Sequence, residues 1–113
     1  MKYTQAENLA IALNTLLDVK GSAGLKIARN LRMINDELKE FYEFKQELFK
    51  KYGEEKDGQL IIQKDSPSYP KFIAELEKID QEVDFNFRKI TEDELIESGL
   101  TARQMSILWE MVE

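Results

Sequence analysis

The strongest constraint in this chain is a stripe, apolar but for one lysine, that keeps a single register from Ile27 to Tyr52. Ile27, Leu31, Ile34, Leu38 and Phe41, then Lys45 in the same register, then Leu48 and Tyr52, are separated alternately by four residues and three. That is heptad spacing, which keeps one side of a helix facing one partner along its whole length. About 30 residues of helix span roughly 45 Å. Ala28, Asn35, Tyr42 and Phe49 recur every seven residues beside the main stripe and are expected to widen the apolar face. A helix this long outruns the one before it. Either later segments fold back along its second half, or it pairs with another copy of itself. Lys45 in the seam is then a register device or a side chain that lays its stem on the core and its ammonium at the rim.

Around this helix the sequence predicts a mostly helical α+β fold in one domain, residues 1–113. Thr4, with Glu7 three residues on, has the spacing of a capping box, and Ala6, Leu9, Leu13, Leu16 and Leu17 form the stripe of a first helix. Gly21-Ser22-Ala23-Gly24 reads as the turn, completing a helical hairpin over 4–52 with one long arm. Gly53 ends the long arm, and Glu54 to Gly58 reads as a solvated turn. Gln59-Leu60-Ile61-Ile62-Gln63 is a strand by composition, Pro70 to about Asp80 is a helix, and Val83 to Arg88 alternates apolar and polar as a half-buried strand does. The expected arrangement of 59–89 is therefore strand, helix, strand, the two strands forming a short antiparallel two-stranded sheet with the helix between them. C-terminal helices fill 91–112: a short acidic one capped by Thr91 and stopped by Gly99, then one capped by Thr101 with Gln104 at capping-box spacing. Met105, Leu108, Trp109 and Val112 make the last stripe, and Ile107 and Met111 sit off it.

Composition narrows the chemistry. The chain of 113 residues has no Cys and no His, which removes thiol nucleophiles, disulfides, imidazole bases and Cys/His zinc sites. The formal charge of -6 argues against general affinity for nucleic acid or anionic membrane. It is unevenly spread: residues 1–21 are neutral, residues 22–53 hold seven basic against five acidic groups, and residues 54–113 hold seven against fifteen. The plainest meaning is an internal fit between a basic arm and an acidic body, with Arg32–Asp36 also at pairing distance along the arm. Residues Glu92, Asp93, Glu94 and Glu97 form the one dense acidic patch. A metal-dependent hydrolase would draw on Glu92, Asp93 or Glu94, but consecutive carboxylates on a short helix point in different directions, and the helix dipole favours acids in a first turn without any metal. No cofactor or metal is expected. Gly21 to Lys26 lacks the spacing of a phosphate loop. Nothing at the N-terminus resembles a leader and no window approaches about 18 consecutive apolar residues, so the expected location is the cytoplasm and no membrane partner is expected.

The order of parts carries a resemblance. Leu25-Lys26-Ile27-Ala28-Arg29-Asn30-Leu31, Leu38-Lys39-Glu40-Phe41-Tyr42-Glu43-Phe44, Leu48-Phe49-Lys50-Lys51-Tyr52-Gly53, Asp57-Gly58-Gln59, a Phe/Val strand and a closing Leu-Thr-x-x-Gln helix resemble a family of small uncharacterised proteins encoded by phages and prophages of Gram-positive bacteria. The resemblance spans nearly the whole chain and supplies no catalytic residues. It implies a phage context, in which small acidic proteins act on other proteins during particle assembly or against host factors and defences. The expected function is thus a non-enzymatic protein-binding module. Its candidate contacts are Phe41, Tyr42, Phe44, Phe49 and Tyr52 on the outer end of the long helix, with Trp109 and Met111 on the last one, since aromatic and Met side chains are enriched in interface cores. A homo-oligomer through the long helix belongs to the same expectation. The alternative is a nucleic-acid-binding or DNA-mimic regulatory protein, using the basic face of the long helix or the acidic half.

Overall fold

The computed structural model describes residues 1–113. Its elements are α1 (Tyr3–Asn14), α2 (Gly21–Tyr52), β1 (Glu54–Lys56), β2 (Gln59–Ile61), α3 (Tyr69–Ile79), α4 (Glu92–Glu97) and α5 (Ala102–Ile107), closed by a 3₁₀ turn at Trp109–Met111. The α+β, mostly helical class holds, with a helical hairpin, one long arm, a two-stranded antiparallel sheet and C-terminal helices. At 32 residues α2 sets the long dimension of a molecule measuring 52 × 29 × 20 Å. The radius of gyration is 17.3 Å, against about 13–14 Å for a compact chain of this length.

The heptad stripe does what its spacing implies as far as Phe41. Ile27, Leu31, Ile34, Leu38 and Phe41 are buried against Ala6, Ala10, Leu13 and Leu16 of the N-terminal arm and Phe87, Ile90, Leu95, Leu100, Leu108 and Met111 of the C-terminal segments. Tyr3 stacks on Phe41, ring centroids 5.1 Å apart and planes 7° from parallel. Lys45, next in register, lies over the Phe41 ring at 5.8 Å and donates to Glu7 of α1 at 3.2 and 3.3 Å, so its stem covers apolar surface while its charge is paired at the rim. Beyond that point α3 and β2 fold back onto α2, with Phe49 packed on Phe72 at 5.1 Å. The second stripe does not widen the buried face: Ala28, Asn35 and Tyr42 are exposed, and Phe49 alone finds partial cover. Leu17, expected in the core, also lies in solvent.

Several local expectations are corrected. The hairpin turn lies at 15–20, and Gly21 to Gly24 already belong to α2. Gly24 is there for closeness, since a Cβ on it would sit 1.9 Å from the Val19 carbonyl oxygen. Thr4 and Glu7 do not form a capping box. Instead Asp80, just past α3, accepts from the Thr4 N–H at 3.0 Å and its hydroxyl at 2.8 Å, so a carboxylate 76 residues away caps α1.

The sheet is a hairpin, not a pairing across α3. β1 pairs with β2 in the register Glu54↔Ile61, Glu55↔Leu60, Lys56↔Gln59. The connection is Asp57-Gly58, both at positive φ (53° and 79°), which is the type I′ turn whose twist suits a hairpin. Val83 to Arg88 alternates half-buried or buried with exposed residues, as its pattern predicts, but joins no sheet. Val83 donates to the Met1 carbonyl at 2.8 Å, and farther on the backbone partner is a side chain. Asn30 of α2, fully buried, accepts from the Arg88 N–H at 2.7 Å and donates to the Arg88 carbonyl at 3.0 Å. One amide thus satisfies both main-chain groups of Arg88, as a neighbouring strand would.

Candidate functional site

Three of the expected contact residues sit where a partner would find little of them. Phe41 is buried under Tyr3, Met111 is fully buried, and Phe49 is half-covered by Phe72. Tyr52 is half-buried with the Lys51 ammonium 5.1 Å from its ring centroid. Tyr42 and Phe44 do project into solvent on the outer part of α2, Phe44 at 53% exposure. The Tyr42 phenol is held above its ordinary pKa, first by partial burial and then by the neighbouring Glu7 carboxylate. Met111 and Phe41 are therefore corrected from contact residues to core.

The fate of Met111 and Trp109 has one cause. The expected stripe runs through Met105, Leu108, Trp109 and Val112 with Met111 off it, although in an α-helix Met111 stands about 60° from Leu108 and Trp109 about 100°. The chain instead leaves α-geometry at Ile107 and tightens into a 3₁₀ turn, in which residues three apart eclipse. Leu108 and Met111 consequently point the same way, into the core. Trp109 turns outward and is 78% exposed, the most exposed large hydrophobic residue in the chain.

Trp109 does not stand alone. Thr91 and Glu94 close a capping box that starts α4: the Glu94 N–H donates to Thr91 Oγ1 at 3.2 Å, and the Thr91 N–H donates to Glu94 Oε1 at 3.1 Å. Thr101 and Gln104 do the same for α5, at 3.2 and 2.9 Å. Gly99, at φ +72°, supplies the left-handed stop between them. Two short capped helices and the 3₁₀ turn enclose a groove of about 620 Å³. Leu95, Ile96, Ala102, Met105, Trp109 and Val112 form its apolar lining, with Glu92, Ser106 and Glu113 completing it. Ile96 is 70% exposed. The sequence reading overlooked Ile96, Met105 and Val112 as site residues. The available signal was the adjacent pair Leu95-Ile96, side chains about 100° apart on a helix of only six residues, of which the structure buries the first and exposes the second.

The acidic patch divides. Glu94 turns inward, where its Oε1 takes the Lys26 ammonium at 2.6 Å, and this bond, followed by the Thr91 backbone N–H, lowers its pKa. Lys26 also donates to the Lys89 carbonyl at 2.7 Å. Glu92, Asp93 and Glu97 face solvent. No group of three or more acidic side chains is placed to hold a metal ion. The basic arm meets the acidic half at two points, Lys26–Glu94 and Lys51–Glu75 (3.2 Å), while Lys39 pairs with Asp36 on its own helix at 3.7 Å. Arg32, expected beside Asp36, makes no ion pair, and neither do Arg29 and Lys50. No helix is long and apolar enough to cross a membrane. Compared with known proteins, the chain matches no family model, no curated protein and no solved structure.

Proposed function

We propose that this chain is a non-enzymatic protein-binding module, phage-encoded as its resemblance implies, and that its contact surface is the groove between α4, α5 and the 3₁₀ turn. The observation that carries the reading is the placement of Ile96 and Trp109, the two most exposed large hydrophobic residues, in the lining of one groove. Large apolar side chains left in water together mark interaction sites, and tryptophan is the residue type that contributes most at interface centres. The capping boxes and the buried Leu108 and Met111 hold the groove on ordered backbone, which lowers the entropy lost on binding.

The nucleic-acid reading draws less support. Lys26, Lys45 and Lys51 are engaged by Glu94, Glu7 and Glu75, which breaks up the basic face of α2. The test is a comparison of two surface variants in affinity capture from cell extract, Ile96→Asp in the groove and Phe44→Asp on the long helix. Both positions are exposed, so circular dichroism should report a native fold for each. Proteins retained by the parent chain should be lost with Ile96→Asp and kept with Phe44→Asp. Retention unchanged by Ile96→Asp overturns the assignment of the groove.

A further inference from the structure

Resting on that reading of the groove, we propose the class of its partner: a short amphipathic helical segment of another protein, with apolar residues at helical spacing flanked by Lys or Arg.

The groove itself supplies the apolar half of this argument. A concavity of about 620 Å³ walled by Leu95, Ile96, Met105, Trp109 and Val112 has room for a few side chains, not for a broad flat surface. That is the geometry of helix-in-groove recognition, in which anchors at i, i+3, i+4 and i+7 enter one apolar slot. The charge half comes from what surrounds it. Of the groove-lining residues, Glu92 and Glu113 are carboxylates and none is Lys or Arg. From Thr91 to Glu113 the chain holds six carboxylate side chains against the single cation Arg103. Glu94 alone of the six has an ion-pair partner, Lys26; Glu92, Asp93, Glu97, Glu110 and Glu113 have none. The Lys89 ammonium, 3.4 Å from the Glu110 carbonyl, offsets part of this charge, and an apolar slot in the net negative field that remains selects cationic partners, speeds their encounter and repels acidic ones. The same field, and the net charge of -6, works against a second copy of this chain as the occupant.

The probe is a tryptophan-free peptide of about four helical turns with Leu at i, i+3, i+4 and i+7 and Lys between. A companion peptide carries Glu in place of every Lys. Trp109 is the only tryptophan, so its emission reports groove occupancy directly. The Lys peptide should bind saturably at one per chain and shift Trp109 emission to the blue. Its affinity should fall about tenfold or more between low and high salt. The double variant Glu92→Gln with Glu113→Gln should weaken it several-fold, Ile96→Asp should remove the Trp109 response, and the Glu peptide should not bind. Equal binding of the two peptides overturns the charge requirement while leaving the groove as a protein-binding surface. Undiminished binding of the Lys peptide to Ile96→Asp overturns the proposal in favour of loose attraction to the acidic half. No response to the Lys peptide at about millimolar concentration also overturns it, and the capture comparison above then judges the protein-binding reading separately. Trp109 burial that grows with protein concentration alone, matched by dimer in sedimentation, assigns the groove to a second copy instead.

Discussion

Replacing Asn30 by leucine tests how the middle of the chain is held together. The Asn30 side chain is fully buried, and its amide is the hydrogen-bond partner of both main-chain groups of Arg88, at 2.7 and 3.0 Å, with Met111 Sδ 3.1 Å from the same nitrogen. Neither Arg88 group has another bond within the chain. Leucine shares the branching of asparagine but its methyl groups are bulkier, so Asn30→Leu adds about 1 kcal/mol of overpacking to the cost of two orphaned backbone groups, about 1–3 kcal/mol each. Partial access of water to Arg88, an exposed residue, holds this to the lower end, and the added apolar burial offsets about 1 kcal/mol. The expected net loss is about 2 kcal/mol, a large part of the roughly 5–15 kcal/mol that holds a domain together. Urea unfolding followed by far-UV circular dichroism should show a lower midpoint with an unchanged slope, and the melting temperature should drop by about 10 °C. Amide exchange adds a local readout. The Arg88 N–H should be protected in the parent chain although it belongs to no strand, and should exchange freely in Asn30→Leu. A variant within about 0.5 kcal/mol of the parent, or an Arg88 amide that exchanges freely in the parent, refutes the strand-mimicking role of Asn30.

Three further outcomes follow from particular contacts. Because Lys26 and the Thr91 N–H lower the folded pKa of Glu94, the unfolded chain binds the extra proton, so this contribution is complete above the ordinary carboxylate value of 4.5 and is lost as pH falls through the depressed folded value. Stability measured across that acid window should fall less steeply in Glu94→Gln than in the parent. Asp80→Ala removes the cap of α1 and should cost about 1 kcal/mol in urea unfolding. Gly24→Ala should destabilise the hairpin by about 1 kcal/mol or more, since its Cβ meets the Val19 carbonyl, whereas helix propensity alone predicts a gain of about 1 kcal/mol.

What the sequence made legible was whatever local rules decide. Heptad spacing located α2 and its buried stripe to Phe41, and Thr91 and Thr101 announced their helices because a capping box is a contact between residues three apart. The misplaced parts depend on partners distant in sequence. Val83 to Arg88 has the alternation of a strand, yet Val83 bonds the main chain of Met1, 82 residues away, and Arg88 a helix side chain 58 residues away, which no pattern within the segment encodes. The true partner of Gln59–Ile61 is Glu54–Lys56, a charged stretch of low β-propensity brought there by the Asp57-Gly58 turn. That dipeptide was the available clue, and it was outweighed by composition. At the candidate site the sequence named Trp109 and Met111 together as contacts, whereas the structure exposes the first and buries the second on the same side as Leu108, three residues before it. Ile96 escaped notice because six residues of helix are too short to show a period.

Everything proposed for the function of this chain depends on Trp109 standing in water beside an unfilled apolar groove. Acrylamide quenching of its emission in dilute, monomeric protein measures this directly. The emission maximum and the quenching constant should lie close to those of free tryptophan in water, since Trp109 is 78% exposed and the chain has no other tryptophan to confuse the signal. A blue-shifted, protected emission from the monomer would mean that the last turn folds Trp109 inward, and would contradict the groove and the partner class together.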